Sequence, residues 1–146
     1  MTSIRNKIHV QEYIYDFDVD GGAVGAITLS DNANKGAIPI GAIIKGVVAK
    51  VITDIEGDTS TVSWGTSETA DGYSGTTIAE ATLVADYVVN GWDNAASLLW
   101  DNSDDHIIYP YVDNAAGGSF QVTVAGNDLT AGKIIFLVEY YMPSLT

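Results

Sequence analysis

The sequence predicts an all-β fold, and three observations support this prediction. Short apolar runs rich in Val, Ile, Tyr and Thr alternate with clusters of Gly, Asn, Asp and Ser, as in strands joined by turns. Helical periodicity is scarce along the whole chain. The 146 residues match the usual size of one domain, and the short strand spacing favours a single antiparallel β-sandwich or barrel.

Nine segments have the composition of strands, and residues 74–81 read as a short helical turn. The strand candidates are residues 9–19, 25–29, 42–55, 59–64, 83–89, 96–100, 106–112, 119–125 and 133–141. Within residues 119–125, Phe120, Val122 and Val124 alternate with polar side chains. One face of that strand is therefore predicted to be buried and the other hydrated.

Two of the strand candidates are apolar on both faces. In the last one, one face holds Ile134, Phe136, Val138 and Tyr140, and most of the other holds Ile135, Leu137 and Tyr141. In residues 42–55, one face holds Val47, Ala49 and Val51, and the other holds Ile44, Val48 and Ile52. Such a strand needs cover on both sides, either from loops of its own chain or from another subunit. Ile135, Leu137 and Tyr141 are therefore candidate subunit-interface residues.

Charge is distributed unevenly along the chain. Six Lys and Arg against nineteen Asp and Glu give a net charge of -13, which disfavours direct contact with nucleic acid. Residues 1–50 contain five bases and five acids, whereas residues 51–132 contain thirteen acids and no base. Residues 1–50 and residues 51–132 are therefore expected to face different electrostatic environments. No apolar run resembles a signal peptide or a membrane span, so we expect a soluble protein made in the cytoplasm.

The clearest metal-like motif is D-x-D-x-D-G at Asp16, Asp18, Asp20 and Gly21, the opening of an EF-hand loop. Its twelfth position is Ile27 instead of Glu, and the acids alternate with aromatic and apolar residues as in a strand. We interpret them as a hydrated strand face. The cluster at residues 101–105 lacks a recognised ligand spacing and reads as a solvated loop. We predict no metal site and no cofactor.

Motifs for catalysis are equally scarce. Cysteine is absent, His9 and His106 stand alone without metal-ligand spacing, and Ser74 between Tyr73 and Gly75 does not complete G-x-S-x-G. We predict no catalytic residue and no enzymatic activity. Among the tryptophans, Trp64 is expected in the core, and Trp92 and Trp100 are expected to shield a loop or an interface. The alternative is an exposed Trp92 that stacks on a sugar ring, as in a glycan-binding module.

Three segments, in the same order, resemble capsid decoration (cement) proteins of tailed bacteriophages. They are residues 35–44 with the long strand that follows, residues 60–66 with Asp71, and residues 122–133 with the closing residues 138–141. The resemblance covers a little under half of the chain. Residues 87–117 depart from the pattern.

The resemblance implies a jelly-roll-like sandwich on the exterior of an icosahedral head, bound to the major capsid protein and usually self-associated as a trimer, less often as a dimer. Taken with the charge distribution, it makes the neutral N-terminal region the expected docking part, with Arg5, Lys7, Lys35 and Lys45 as candidate docking residues. Residues 1–8 are expected to form an arm before a sandwich domain at residues 9–146. The alternative role is a receptor- or glycan-binding module of a virion head or tail fibre.

Overall fold

The computed structural model describes residues 8–29, 36–67, 70, 72–74, 76–90, 100–101, 106–107, 112 and 118–143. Within them, the strands are β1 (Ile8–Asp16), β2 (Gly25–Thr28), β3 (Ile43–Glu56), β4 (Thr61–Thr66), β5 (Ile78–Ala79), β6 (Val88–Asn90), β7 (Trp100–Asp101), β8 (His106–Ile107), β9 (Phe120–Ala125) and β10 (Ala131–Tyr141). One α-helical turn, α1 (Phe17–Asp20), and one 3₁₀ turn (Glu80–Thr82) accompany them. No helix in this part of the chain is long and apolar enough to cross a bilayer.

The strands form two antiparallel four-stranded sheets. Sheet 1 has the order β1-β10-β3-β6, and sheet 2 has the order β2-β9-β4-β5. The chain passes between the two sheets after β1, β2, β3, β5, β6 and β9, while β7 and β8 pair as a separate hairpin. This is the strand order of a jelly roll. The predicted all-β, jelly-roll-like sandwich in a single domain is therefore confirmed.

The core between the sheets is built around aromatic side chains. Tyr13 and Phe120 stack with their ring centres 4.7 Å apart, and Phe136 packs 5.0 Å from Phe120 and 5.2 Å from Trp64. All four are at most 1% exposed. Phe120, Val122 and Val124 point into this core, as their alternation predicts. Aromatic residues of both sheets therefore hold the sandwich together.

The first predicted strand is too long. β1 ends at Asp16, and Phe17–Asp20 forms one helical turn instead of continuing the strand to residue 19. The Asp16 side chain accepts a hydrogen bond from the Asp18 N–H at 3.1 Å, which caps the turn. The interpretation of the three acids as a hydrated strand face is therefore wrong for Asp18 and Asp20.

The predicted helical turn at residues 74–81 is wrong for most of its length. Ile78–Ala79 is strand β5, and the 3₁₀ turn covers Glu80–Thr82 only. Of the predicted strand at residues 83–89, only the last two residues lie in a strand, since β6 begins at Val88. Asp86 adopts a positive φ of 71°, which interrupts the strand, although Leu83 and Tyr87 still accept hydrogen bonds from the backbone of β3.

Candidate interaction surface

The outer face of sheet 1 exposes apolar side chains that the chain itself leaves uncovered. In the central strand β10, Ile134, Phe136, Val138 and Tyr140 are buried, as predicted, while Leu137 between them is 39% exposed. Ile8 and Val10 of the edge strand β1 are 47% and 58% exposed. An apolar residue in the middle of a sheet is normally covered, so this face has the character of a contact surface.

Strand register arranges this outer face in rows that run across the sheet. Ile8 lies opposite Tyr141, which lies opposite Ile43. The remaining rows are Val10–Glu139–Gly46, Glu12–Leu137–Val48, Ile14–Ile135–Lys50–Val88 and Asp16–Lys133–Thr53. The outer face of sheet 1 is defined by these side chains, together with Lys45. Leu137 lies in the third of the five rows, near the centre.

The charges on this face are balanced. Lys45 pairs with Glu139 at 3.7 Å and Lys133 with Asp16 at 3.6 Å, both within the face, and Lys50 pairs with Asp86 at its margin at 3.8 Å. Across the face, three lysines oppose Glu12, Asp16 and Glu139. Exposed ion pairs of this kind contribute roughly 0 to 1 kcal/mol to stability, so their main effect here is local neutrality.

The rest of the described surface is acidic. These three lysines are the basic side chains that the described residues contain, and all three lie on the outer face of sheet 1. Asp86 lies at the margin of the face. Away from the face, the described acidic side chains are Asp18, Asp20, Asp54, Glu56, Asp58, Glu80 and Asp128. The sequence placed the charge-balanced region in residues 1–50. Among the described residues, the charge-balanced surface is instead a face formed by β1, β3 and β10 together.

The outer face of sheet 2 is different in composition. By register its side chains include Thr61, Ser63, Gln121 and Thr123, which are small or polar. Part of it is covered by the chain, because Ser63 is buried and its hydroxyl donates a hydrogen bond to the Ala70 carbonyl at 3.5 Å. The sandwich is thus apolar on one outer face and polar on the other.

The structure brings together four of the residues singled out from the sequence. Ile135, Leu137, Tyr141 and Lys45 all lie on the outer face of sheet 1, although two different roles were predicted for them. The other docking candidates, Arg5, Lys7 and Lys35, lie outside the described residues, as do Trp92 and most of residues 101–105. Gly36, which follows Lys35, accepts hydrogen bonds from Gln11 at 3.1 Å and Tyr13 at 2.9 Å. It therefore lies beside β1, the strand that follows Lys7.

Sequence reasoning placed Ile44 on the wrong face and missed several residues of this surface. A register shift between Glu139 and Tyr140 inserts an extra residue in β3, so Ile44 turns inward opposite the buried Tyr140. Ile8, Val10 and Val88 were missed. These residues can be identified only once the sheet order is known. β1 and β6 pair with β10 and β3, the two strands that are apolar on both faces, and so extend the same apolar surface.

A groove of about 310 Å³ lies at one end of sheet 1, between Asp16, Asp18, Thr53 and Lys133. Of the two carboxylates that line it, that of Asp16 accepts a hydrogen bond from the Asp18 N–H and pairs with Lys133. Nearby, the Asp20 carboxylate accepts a hydrogen bond from the Asp16 N–H at 2.9 Å. Among the described residues, no group of three or more His, Cys, Asp or Glu side chains is arranged to hold a metal ion.

The other residues considered for chemistry have structural roles where they are described. Ser74 is buried; its hydroxyl accepts a hydrogen bond from the Trp64 N–H at 3.2 Å and donates one to the Thr76 carbonyl at 2.8 Å. His9 stacks on Tyr140 with ring centres 5.3 Å apart. Trp64 is in the core, as predicted, where it cannot stack on a ligand.

No family model matches the chain. No curated protein matches it either. Solved structures do match it: a chain of the capsid asymmetric unit of cyanophage Pam1 has a TM-score of 0.63 at 19% identity, covering 98% of this chain and 90% of that one. A chain of the capsid of Ralstonia phage GP4 has a TM-score of 0.50 at 20% identity, covering 100% of this chain and 92% of that one. At these identities the similarity establishes the fold of the chain along nearly its whole length.

Proposed function

We propose that this chain is a structural protein of a bacteriophage head, specifically a decoration protein that binds the exterior of the shell and stabilises contacts between capsomers. The observation that carries the proposal is the jelly-roll sandwich itself, which matches a chain of a phage capsid asymmetric unit over 98% of the present sequence. The match extends over 90% of the other chain as well, so it covers a whole subunit and not a shared fragment.

The surface of the molecule supports this role. The neutral, apolar outer face of sheet 1 suits a contact with another protein. The acidic remainder of the described surface suits exposure to solvent, where counterions screen the repulsion between neighbouring copies. The described groups that resemble catalytic or metal-binding motifs, Ser74, Asp16 and Asp20, are engaged within the chain. A contact protein is the function that this distribution of side chains fits.

For docking onto the shell we propose the bases near the start of β1. Lys45 is already paired with Glu139. Arg5 and Lys7 precede β1, and Lys35 precedes Gly36, whose carbonyl lies 3.1 Å from the Gln11 side chain. Arg5 and Lys7 are thus within three residues of β1 along the chain, and Lys35 is the sequence neighbour of a residue that contacts the same strand. Major capsid protein with an acidic outer surface is the partner that these bases fit.

The proposal is tested by adding the purified protein to heads produced without it. Saturable co-sedimentation and a higher disruption temperature of the decorated heads are expected. A triple variant, Arg5→Ala, Lys7→Ala and Lys35→Ala, should raise the half-saturating concentration by about tenfold, because three exposed ion pairs contribute roughly 0.5 kcal/mol each.

The matched control keeps the charge at each position: Arg5→Lys, Lys7→Arg and Lys35→Arg should bind as the wild type does. Failure of the wild-type protein to bind heads at any practical concentration would overturn the decoration role. Equal binding by the alanine triple variant would overturn the docking assignment while leaving the role intact.

A further inference from the structure

The outer face of sheet 1 needs an occupant, and its chemistry limits the choice. Its central apolar residue Leu137 is 39% exposed, and Ile8, Val10 and Val88 around it are between 47% and 58% exposed. Its charged side chains sum to zero, three lysines against three acids. A partner for this face must therefore be apolar and locally neutral.

Electrostatics identifies a second copy of the chain as such a partner. Two molecules that each carry a charge of -13 repel each other over most of their surface. The outer face of sheet 1 holds every described base, and two of them, Lys45 and Lys133, are already paired with acids of the same face. It is the part of the described surface on which two copies can approach with the least net like charge, although Glu12 lies on it without an ion-pair partner among the described residues. A basic partner, in contrast, would be drawn to the acidic remainder.

We propose that this face packs against the same face of a second copy about a two-fold axis, forming a dimer. When a self-complementary patch pairs with its own copy about a two-fold axis, both patches are buried and no further copy can add, so the assembly stops at two. The trimer implied by the family resemblance requires two different patches that fit each other, and the outer face of sheet 2, being polar and partly covered at Ser63, offers no apolar counterpart within the described residues.

The size of the face sets the expected strength. Three strands of nine or more residues plus the short β6 span roughly 15 to 19 Å by 30 Å, or about 500 Å² per copy. The total of about 1,000 Å² is at the lower limit of specific interfaces. The dimer is therefore expected to be weak in solution and to become fully populated when neighbouring copies are held on a particle.

This inference rests on the proposed head-protein role for its biological meaning, but its test uses the free protein alone. Sedimentation equilibrium over about 1 to 500 µM, the range suited to an interface of this size, should show monomer and dimer. Leu137→Glu, at the centre of the face, should weaken the dimer by about thirtyfold, the effect of losing a central anchor. Val24→Glu is the matched control: Val24 is 51% exposed, lies outside the face, and receives the same charge.

A second measurement tests the two-fold pairing. The chain contains no cysteine, so Leu137→Cys introduces a single thiol near the proposed axis. Under oxidation it should form a disulfide-linked dimer faster than Val24→Cys does. A wild-type protein that stays monomeric throughout the range, a trimer, or equal behaviour of the two glutamate variants or of the two cysteine variants would overturn the dimer. Each of these results can occur whether or not the protein binds heads.

Discussion

At the scale of single residues, the stability of the sandwich depends on buried tyrosines and on glycines that lie against neighbouring backbone. Burial raises the pKa of Tyr73 well above its ordinary value of 10.0. Burial, and then the neighbouring tyrosines, do the same for Tyr13, and burial with the nearby Asp20 and Asp16 raises the pKa of Tyr15 to about 12. Each of these hydroxyls is thus held neutral by the fold.

Stability should therefore fall at alkaline pH. A raised folded-state pKa gives stability that is complete below the unfolded value near 10 and is lost as the pH rises through the folded value. Each buried tyrosine that ionises on unfolding adds a slope of about 1.4 kcal/mol per pH unit. Urea unfolding at pH 8, 10 and 11, with tyrosinate absorbance, measures this loss. Tyr15→Phe should lessen the slope between pH 10 and 11, and an unchanged slope would contradict the assignment.

Gly22 should be intolerant of any side chain, although its φ is ordinary. A Cβ at this position would collide with the backbone carbonyl of Leu129, whose N–H donates to the Gly22 carbonyl at 2.7 Å. Because a backbone atom has little freedom to move away, Gly22→Ala should destabilise by about 1 to 3 kcal/mol and lower the melting temperature by several degrees.

Gly21→Ala is the control for that substitution. Its Cβ meets nothing within 4 Å, and it suffers only from the φ of 76°. This backbone, with φ of 76° and ψ of -173°, is one that only glycine adopts readily, and a side chain there costs of order 1 to 3 kcal/mol. Because Gly21→Ala introduces backbone strain without a collision, the clash at Gly22 is judged against the wild type: an unchanged melting temperature for Gly22→Ala would contradict it.

At the scale of elements, the alternation of single strands could be predicted and the ends of strands could not. Phe120, Val122 and Val124 carry their own burial signal, because the pattern lies within one strand. The end of β1 depends on whether Asp16 accepts a hydrogen bond from Asp18, which competes locally with the sheet. The inward turn of Ile44 depends on a bulge that forms only against β10. Sheet order, and with it the candidate face, likewise depends on pairing between distant segments.

The acids around α1 are predicted to act as caps and not as metal ligands. Asp16→Ala removes the cap of the turn and the partner of Lys133, and should lower stability by about 1 kcal/mol. Addition of a chelator to the wild-type protein should leave the thermal melt unchanged, because the carboxylates of Asp16 and Asp20 already bind N–H groups. A fall of more than about 10 °C in chelator would contradict this assignment.

At the scale of the whole molecule, the excess of negative charge lies away from the apolar outer face of sheet 1. Leu137, Val10 and Val88 share one outer face with the described lysines, while the polar Thr61 and Thr123 lie on the other. Composition gave the net charge, but the segregation comes from folding, because β10 from the C-terminal region lies between β1 and β3. A charge of -13 and a neutral, apolar face coexist in one small domain for this reason.

Self-association should strengthen as salt is added, the reverse of the behaviour of an interface held by opposite charges. Two copies joined through a neutral face still bring their acidic flanks within a few tens of ångströms. Screening shortens from roughly 30 Å at 0.01 M salt to 8 Å at 0.15 M. Glu12, which has no ion-pair partner among the described residues and lies opposite Leu137, adds repulsion at the face itself. Glu12→Gln should therefore tighten the dimer several-fold at low salt, whereas Asp58→Asn, which removes one acid away from the face, should do so less. Sedimentation of the three proteins across that salt range measures both effects. A dimer that weakens with salt, or an Asp58→Asn effect as large as that of Glu12→Gln, would show that the contact surface lies elsewhere on the molecule.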